Sequence, residues 1–419
     1  MPPEQAVDSR SPAGVQEDVP RPRRRWKKWL VRLGGTLVVL GGIAAYLWFF
    51  EQTGHSVPKQ PPAAVAPSGD PALDALRRGV EYLRVHQEAD GHFSRGLIDP
   101  KPAFTALIVD ALARAPLTRT PQDQELLDRA AVAILACQRE NGSICTPAFG
   151  LDAYCTSISL LALKAMGDPK YAPAIERAKA YLLTIQRPVI EGNPTSGGVG
   201  YGASGNVDGS NTAQWVEALA EAGVEKDSPE FKNAQLFFSR LQNSPETNDL
   251  AKTGAPVGTD GGFVYRPLES KVYDQSRDGK RIPRSYGLMS YAGLKSFLYM
   301  DVAKGDPRVQ SAWRWVRDNY TLDENRHIGA DGLFFYYVAL AKALTAYGEP
   351  VVVTTDGARH EWARELTERL LRLQRSDGSW RNERSQMWKE GDEVMVTAFA
   401  IRVLAICREF MDKHQAPKP

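Results

Sequence analysis

Three residues of the segment that leads into one predicted buried helix could hold a ligand: Arg266, Arg284 and Tyr286. Two guanidinium groups and a phenol all donate hydrogen bonds, so together they would suit an anionic or carbonyl-bearing ligand. This requires that the three side chains face one cavity. The alternative is that they are solvated loop residues. We predict them as ligand-binding residues.

Acid chemistry would need a carboxyl group in the same place, and the candidates are Asp331 and Asp392. Asp392 and Glu393 form an adjacent pair just before the last predicted helix. Acidic side chains also stabilise the N-terminus of a helix, so the alternative interpretation is that this pair caps the last helix and does no chemistry. The pattern therefore leaves the catalytic residues unknown.

The elements that must position these residues are repeated helical hairpins. In residues 363–373, apolar side chains recur every three or four positions, which predicts an amphipathic helix. A turn rich in polar residues and glycine follows at 376–380, and Trp380 can pack back onto the helix end. Residues 394–406 are apolar nearly all round, which predicts a helix buried on every side.

The same unit recurs along the chain and predicts an all-α toroid. Gln87, Gln138, Gln186 and Gln242 each precede a glycine-containing turn at intervals of 48 to 56 residues, and Gln374 opens the last one. Together with a unit at 313–347, six hairpins are expected, each burying its apolar face against its neighbours. Since the first helix of each pair is half polar and the second apolar, we predict an outer and an inner ring. The alternative is an open solenoid, but the last inner helix is too apolar to be its polar end.

Small polar side chains recur at the predicted starts of the inner helices. One interpretation is N-capping, and the other is a polar ring that faces a central cavity. The residues concerned are Thr105, Thr156, Ser157, Asn206, Asp208, Asn211, Thr212, Ser285 and Thr397.

Composition restricts the class of protein. The 419 residues are 43% hydrophobic and 24% charged with a net charge of +2, which is typical of a globular domain and gives no reason to expect nucleic acid as a partner. Four cysteines do not form a metal-binding pattern. A Cys145–Cys155 or Cys137–Cys145 bridge would be a structural staple, whereas Cys407 lies in an apolar helix and acts as a small hydrophobe.

The N-terminal segment predicts a membrane anchor. We expect a disordered basic tail at 1–28, a transmembrane helix at 29–50 and a Pro/Ala linker at 51–69, followed by the toroid at 70–412. Residues 33–50 carry no charge, and 18 residues of helix span about 27 Å, close to a bilayer core of about 30 Å. Because basic residues precede the apolar run, the tail should stay in the cytoplasm. The toroid should therefore lie outside the inner (cell) membrane.

The turn at Gln374-Arg375-Ser376-Asp377-Gly378-Ser379-Trp380 resembles the Q-x-x-D-G-x-W repeat of squalene–hopene cyclases and protein prenyltransferase β subunits. This resemblance extends over residues 70–412 and implies an α/α toroid. The segment from Asp260 to Arg266 also resembles the prenyltransferase G-G-F-x-x-R segment. That likeness implies a diphosphate-gripping role for Arg266, with Lys271 as a further candidate.

The catalytic signatures of these families are missing. No D-x-D-D motif occurs, which a cyclase uses to protonate an alkene, and no Asp-x-Cys pair occurs, which a prenyltransferase uses to bind zinc. His92 and His327 lie in predicted loops without a Cys or Asp partner in sequence, and the Cys-Gly-Glu-Gln of thioester domains is absent. We therefore predict no metal and no cofactor.

These observations favour a membrane-anchored domain that binds a ligand or partner without the chemistry of either family. The alternative is an enzyme that acts on an isoprenoid or lipid-like substrate through a non-standard acid. A third hypothesis is an assembly module with no small-molecule cavity. The predicted partners are the membrane, and an isoprenoid or lipid-like ligand or an envelope protein.

Overall fold

The computed structural model of the chain describes residues 65–94, 100–146, 150–202, 206–275 and 279–415. The predicted tail and membrane anchor, and the predicted linker up to residue 64, lie outside this part of the chain. Within it, no helix combines the length and the apolar character that crossing a bilayer requires.

The described residues form twelve α-helices in alternating outer and inner positions. In chain order they are α1 Pro71–Arg84, α2 Lys101–Arg114, α3 Pro121–Leu135, α4 Asp152–Met166, α5 Ala172–Thr184, α6 Gly209–Glu221, α7 Pro229–Leu241, α8 Gly287–Tyr299, α9 Pro307–Asn319, α10 Leu333–Tyr347, α11 Trp362–Leu373 and α12 Glu393–Gln415. Odd-numbered helices are outer and amphipathic. Even-numbered helices are inner and apolar over most of their surface, as the sequence predicts.

The inner helices close into a ring. Each packs against the next in sequence, and α12 returns to pack against α2. The outer helices pack on this ring, and α1 contacts both α11 and α12. The closed toroid is therefore confirmed, and the open solenoid is wrong. The core lies between the rings and includes Trp215, Trp315, Trp362 and Trp380, all fully buried. The indole of Trp380 donates to the carbonyl of Leu370 (2.8 Å), as expected of a ring that packs back onto its helix end.

In five of the six repeats, a glutamine side chain joins the turn to the outer helix of the next repeat. In five repeats its amide nitrogen donates two hydrogen bonds, one to the turn glycine carbonyl and one to a carbonyl of that neighbouring helix. The pairs of acceptors are Gly91 and Leu126 for Gln87, Gly142 and Ala174 for Gln138, Gly197 and Glu230 for Gln186, Gly261 and Arg308 for Gln242, and Gly378 and Ala75 for Gln374. The last pair joins the sixth repeat to the first.

The turn glycines are required by both conformation and space. Their φ angles lie between +80° and +89°, a region that residues with a side chain rarely occupy. A Cβ placed on Gly142 would lie 2.2 Å from the carbonyl oxygen of Arg177, and one on Gly378 would lie 2.6 Å from that of Arg78. The glycine in each of these turns therefore reflects the close approach of the turn to the next outer helix.

Asp208 caps α6 by accepting a hydrogen bond from the backbone N–H of Asn211, as the N-capping interpretation predicts. Five hydroxyl side chains near the starts of inner helices have a role that neither interpretation anticipated. These five are buried, and each accepts a hydrogen bond from a backbone N–H in the preceding turn, at 2.9–3.3 Å. The pairs are Thr105 with Phe93, Thr156 with Ile144, Thr212 with Val199, Ser290 with Phe263 and Thr397 with Trp380. Since these hydroxyls fix the turn to the helix, they neither cap the helix nor face the centre of the ring.

Short strands interrupt the helical pattern. In the insertion before α8, β1 (Val272–Gln275) pairs antiparallel with β2 (Arg281–Arg284). A smaller pair, β3 (Val352–Val353) and β4 (Arg359–His360), precedes α11. Single turns of 3-10 helix occur at Pro169–Tyr171, Asp249–Thr253 and Met387–Lys389. The β1–β2 hairpin and the Met387–Lys389 turn both lie near the N-terminal ends of inner helices.

Candidate functional site

A cavity of about 270 Å³ opens at the N-terminal ends of the inner helices. Each of these helices contributes to its wall, so the cavity lies on the axis of the ring; the contributors include Leu107, Tyr154, Gln214, Met289, Phe335 and Phe399. A larger hollow of about 370 Å³ lies outside the ring, beside the Arg84–Asp123 ion pair. We place the candidate site on the axis, because the walls there converge from the whole ring.

Aromatic and aliphatic side chains form most of the cavity wall. Phe335 and Phe399 stack with their ring centroids 5.8 Å apart, and Tyr154 lies 6.3 Å from Tyr201 on another side. In the aromatic run at 334–337, Phe335 lines the cavity and its three neighbours are buried in the core. This agrees with the expectation that a helix points most of such a run away from any one cavity.

A polar sector interrupts this wall at the start of α6. The carboxylate of Asp208 accepts hydrogen bonds from the backbone N–H of Asn211 (2.9 Å) and from its side-chain amide (2.7 Å). Burial raises the pKa of Asp208. The amide oxygens of Asn211 and Gln214 accept no hydrogen bond from the described residues, although both side chains line the cavity.

The three predicted ligand-binding residues are only partly brought together. Tyr286 is buried and lines the cavity. The Arg266 guanidinium lies 5.1 Å from the ring of Tyr265, a wall residue, and pairs with Glu269.

Arg284 instead pairs with Asp274 (3.4 Å) and has one guanidinium nitrogen 3.1 Å from Nε2 of His327. It is not among the described residues that line the cavity. A ligand-binding role for these three residues stays a prediction.

The two acid candidates both have structural partners. A carboxylate oxygen of Asp331 accepts a hydrogen bond from the Ser385 hydroxyl (2.6 Å). The Asp392 carboxylate accepts one from the backbone N–H of Met395 (3.0 Å), which is a helix-capping contact, and burial raises its pKa. Neither acid is among the described residues of the cavity wall.

Sequence reasoning missed a third carboxyl group, that of Glu390. It is buried against the N-terminus of α10, where it accepts hydrogen bonds from the backbone N–H of Phe335 (2.8 Å) and from the amide of Asn382 (2.7 Å). Burial raises the pKa of Glu390 to about 7. The residues just before it, Trp388 and Lys389, have φ angles of +55° and +63° and form part of the cavity wall.

Glu390 should make stability depend on pH. Its pKa rises from an ordinary 4.5 to about 7 in the fold. Its contribution to the stability of the fold is therefore complete below pH 4.5 and is lost as the pH rises through 7. Between pH 5 and pH 8, we expect the free energy of unfolding of the native protein, measured in urea, to fall by about 2 kcal/mol more than that of Glu390→Gln. Glu393→Gln, which changes a carboxylate paired with Arg381, is the control. Equal pH dependence in the native protein and Glu390→Gln would contradict the assignment.

A buried ion triad forms the floor of the cavity. The carboxylate of Glu217 accepts a hydrogen bond from Lys295 through one oxygen and from Lys342 through the other, both at 2.5 Å. Neighbouring ammonium groups hold the pKa of Glu217 well below its usual range, against the opposing effect of burial. Burial lowers the pKa of Lys295. The triad borders a smaller space of about 30 Å³ directly beneath the main cavity.

A second layer of charge lies beside the triad. Asp110 pairs with Arg402 (3.0 Å) and Arg114 (2.7 Å), and Arg114 also pairs with Glu221. These charges come from inner helices, which are otherwise apolar.

The sequence carries a local signal for the charged layers. A charged residue stands five positions after the anchoring hydroxyl in four inner helices, as Asp110, Glu217, Lys295 and Arg402.

The remaining candidates for metal or redox chemistry are two histidines with hydrogen-bond partners and four cysteines. His92 Nδ1 lies 2.9 Å from the Thr105 hydroxyl, and His327 Nδ1 lies 2.8 Å from the carbonyl of Ser285. Among the described residues, no group of three or more His, Cys, Asp or Glu could hold a metal ion. The four cysteines are free thiols in this structure, and burial raises the pKa of Cys137.

Comparison with known proteins supports the architecture and nothing finer. No family model and no curated protein matches the chain. The GH76A α-1,6-mannanase from Salegentibacter sp. HEL1_6 aligns over 81% of this chain and 99% of its own, with 11% identity and a TM-score of 0.54. A protein from Actinoplanes aligns over 80% of this chain and 99% of its own, with 16% identity and a TM-score of 0.50. The type II terpene cyclase MstE from Scytonema aligns over 81% and 99%, with 12% identity and a TM-score of 0.49.

Identities this low show the fold alone, so the resemblance seen in the sequence holds at the level of the α/α toroid.

Proposed function

We propose that the toroid domain binds a small, largely apolar ligand in its central cavity. The observation that carries this proposal is an axial cavity whose walls come from all the described inner helices. Its volume of about 270 Å³ falls just below the range of about 300–1,000 Å³ typical of small-molecule sites. Mostly apolar walls with a few convergent polar groups are the usual composition of such sites.

The enzymatic alternative has less support. It needs an acid that can reach the ligand, and Asp331 and Asp392 already have other partners. Asp208 lies behind the wall and is held by Asn211. Binding requires no such acid, so we favour it over catalysis on an isoprenoid or lipid-like substrate.

The membrane tether is part of this proposal. A basic block followed by an uncharged run at 33–50 and a Pro/Ala-rich linker supports a single-pass anchor with the domain outside the membrane. In that position the cavity would be close to lipids and envelope proteins. The test adds protease to cells from which the outer envelope has been removed and asks whether a C-terminal tag is cleaved. A tag that stays intact would contradict this location.

Filling the cavity should weaken binding. The cavity volume corresponds to roughly nine water-sized groups at about 30 Å³ each, so 1-octanol, with nine heavy atoms, is a suitable neutral probe. Ser210 borders both the main cavity and the smaller space below it. By calorimetry, we expect Ser210→Phe to weaken 1-octanol binding at least about tenfold, because the ring occupies the ligand's volume.

Val132→Phe provides the matched control, since Val132 is 68% exposed on the outer helix α3. It adds the same ring to the outside of the domain and should leave binding unchanged. Equal binding by both variants, or no binding by the native protein, would overturn the proposed function.

A further inference from the structure

The floor of the cavity carries more positive than negative charge. Glu217 is 2% exposed and Lys295 is 4% exposed, and Lys342 completes the triad. Two ammonium groups therefore share a single carboxylate. Burying an uncompensated charge is costly unless a counter-ion or strong hydrogen bonds accompany it.

The second charged layer does not remove this surplus. Asp110 and Glu221 are matched by Arg114 and Arg402, with which they pair. That layer is neutral in itself. Among the described residues of the two layers, one positive charge therefore remains, and it lies at the triad.

The two ammonium groups also retain hydrogen-bonding capacity. Each has three N–H donors, yet within the described chain each has Glu217 as its hydrogen-bond acceptor. The space of about 30 Å³ lies against both lysines. It adjoins the main cavity, because both are lined by Ser210, Gln214, Leu288, Met289 and Phe335. A ligand group that reaches the floor would therefore meet ammonium donors and a surplus positive charge.

We propose that the cavity binds an aliphatic monocarboxylate whose carboxylate points inward, between Lys295 and Lys342. This inference rests on the proposed function of the cavity. One negative charge matches the surplus on the triad, and the space of about 30 Å³, close to the volume of one water molecule, has room for one carboxylate oxygen beside the two lysines. The hydrocarbon chain would extend along the aromatic walls towards the mouth.

Binding in the opposite orientation, with the carboxylate at the mouth of the cavity, would be weaker. Lys271 and Lys389 stand at the mouth, but both are exposed to solvent. An ion pair in water contributes little, whereas a charge-assisted hydrogen bond at a buried position contributes more. The depth of the lysines therefore decides which end of the ligand enters first.

The test compares octanoate, 1-octanol and octylamine, which share a chain and differ in head group. By calorimetry, we expect the native protein to bind octanoate at least about tenfold more tightly than 1-octanol, and octylamine more weakly than either. In Lys342→Met the preference for octanoate over 1-octanol should fall to about onefold. Lys342→Met keeps the Glu217–Lys295 pair, so the fold should be retained.

Lys164→Met is the control, because Lys164 is an exposed lysine of the inner helix α4. It should keep the preference for octanoate. If 1-octanol binds as tightly as octanoate, and Lys342→Met changes neither, the carboxylate assignment is wrong although the cavity still binds ligands. If neither probe binds the native protein, the proposed function fails as well.

Discussion

Replacing Glu217 by leucine should lower the free energy of unfolding by about 3–5 kcal/mol. The carboxylate is the shared partner of Lys295 and Lys342, and its loss leaves two ammonium groups buried without a counter-charge. Removing one member of a buried ion cluster costs far more than an exposed substitution, because the remaining charges cannot regain water. Urea unfolding of the native and variant domains at pH 7 measures the difference.

Two further variants identify the cause of that loss. Glu176→Leu removes a 65% exposed carboxylate that pairs with Lys179 and should change stability by less than about 0.5 kcal/mol. The triple variant Glu217→Leu, Lys295→Met and Lys342→Met removes all three charges and should recover most of the loss. A triple variant as unstable as Glu217→Leu would mean that a leucine side chain does not fit at position 217. The unpaired charges would then not be the cause of the lost stability.

The triad also gives an expected pH dependence. Because the pKa of Glu217 lies below its ordinary value of 4.5, its stabilising effect is complete above that pH. It is lost as the pH falls further, towards the lower pKa in the fold. The difference between the native domain and Glu217→Leu should therefore shrink in acid, which is the opposite direction to the effect of Glu390.

Replacing Gly142 by alanine should be the second large effect, with a loss of about 2–4 kcal/mol. Gly142 has a φ of +89°, and its missing Cβ would lie 2.2 Å from the carbonyl oxygen of Arg177. The loss therefore combines an unfavourable backbone angle with displacement of the neighbouring outer helix. Denaturant unfolding monitored by circular dichroism measures it.

Gly223→Ala separates the two causes. Gly223 has a similar φ of +75°, but its Cβ would meet nothing within 4 Å. We expect a loss of about 1 kcal/mol there, from the backbone angle alone. If both substitutions cost the same, close approach between turn and helix is not what requires glycine in these turns.

The architecture could be predicted because each repeat carries the same local sequence features. The hydrogen bond from glutamine to turn glycine recurs in five repeats, because each turn packs in the same way against the next outer helix, and in three of them the two residues are four positions apart. The contrast between an amphipathic helix such as α11 and an apolar one such as α10 likewise predicts their outer and inner positions. Both signals lie within about 50 residues of sequence, so no long-range information is needed.

The candidate site could not be predicted in the same way, because it is assembled from distant helices. Glu217 and Lys342 are 125 residues apart, and nothing local shows that they meet. A single charge in an apolar helix could equally face solvent. Arg284 shows the converse: it lies two residues from the cavity residue Tyr286, but at the end of a strand its side chain pairs with Asp274 instead.

The bond from Gln374 to Ala75 makes the sixth repeat the neighbour of the first. In a linear array the outermost units have one neighbour and fray before the middle does. Here each repeat has a neighbour on both sides. Unfolding of any one repeat would break two interfaces at once, so melting of the domain should be concerted.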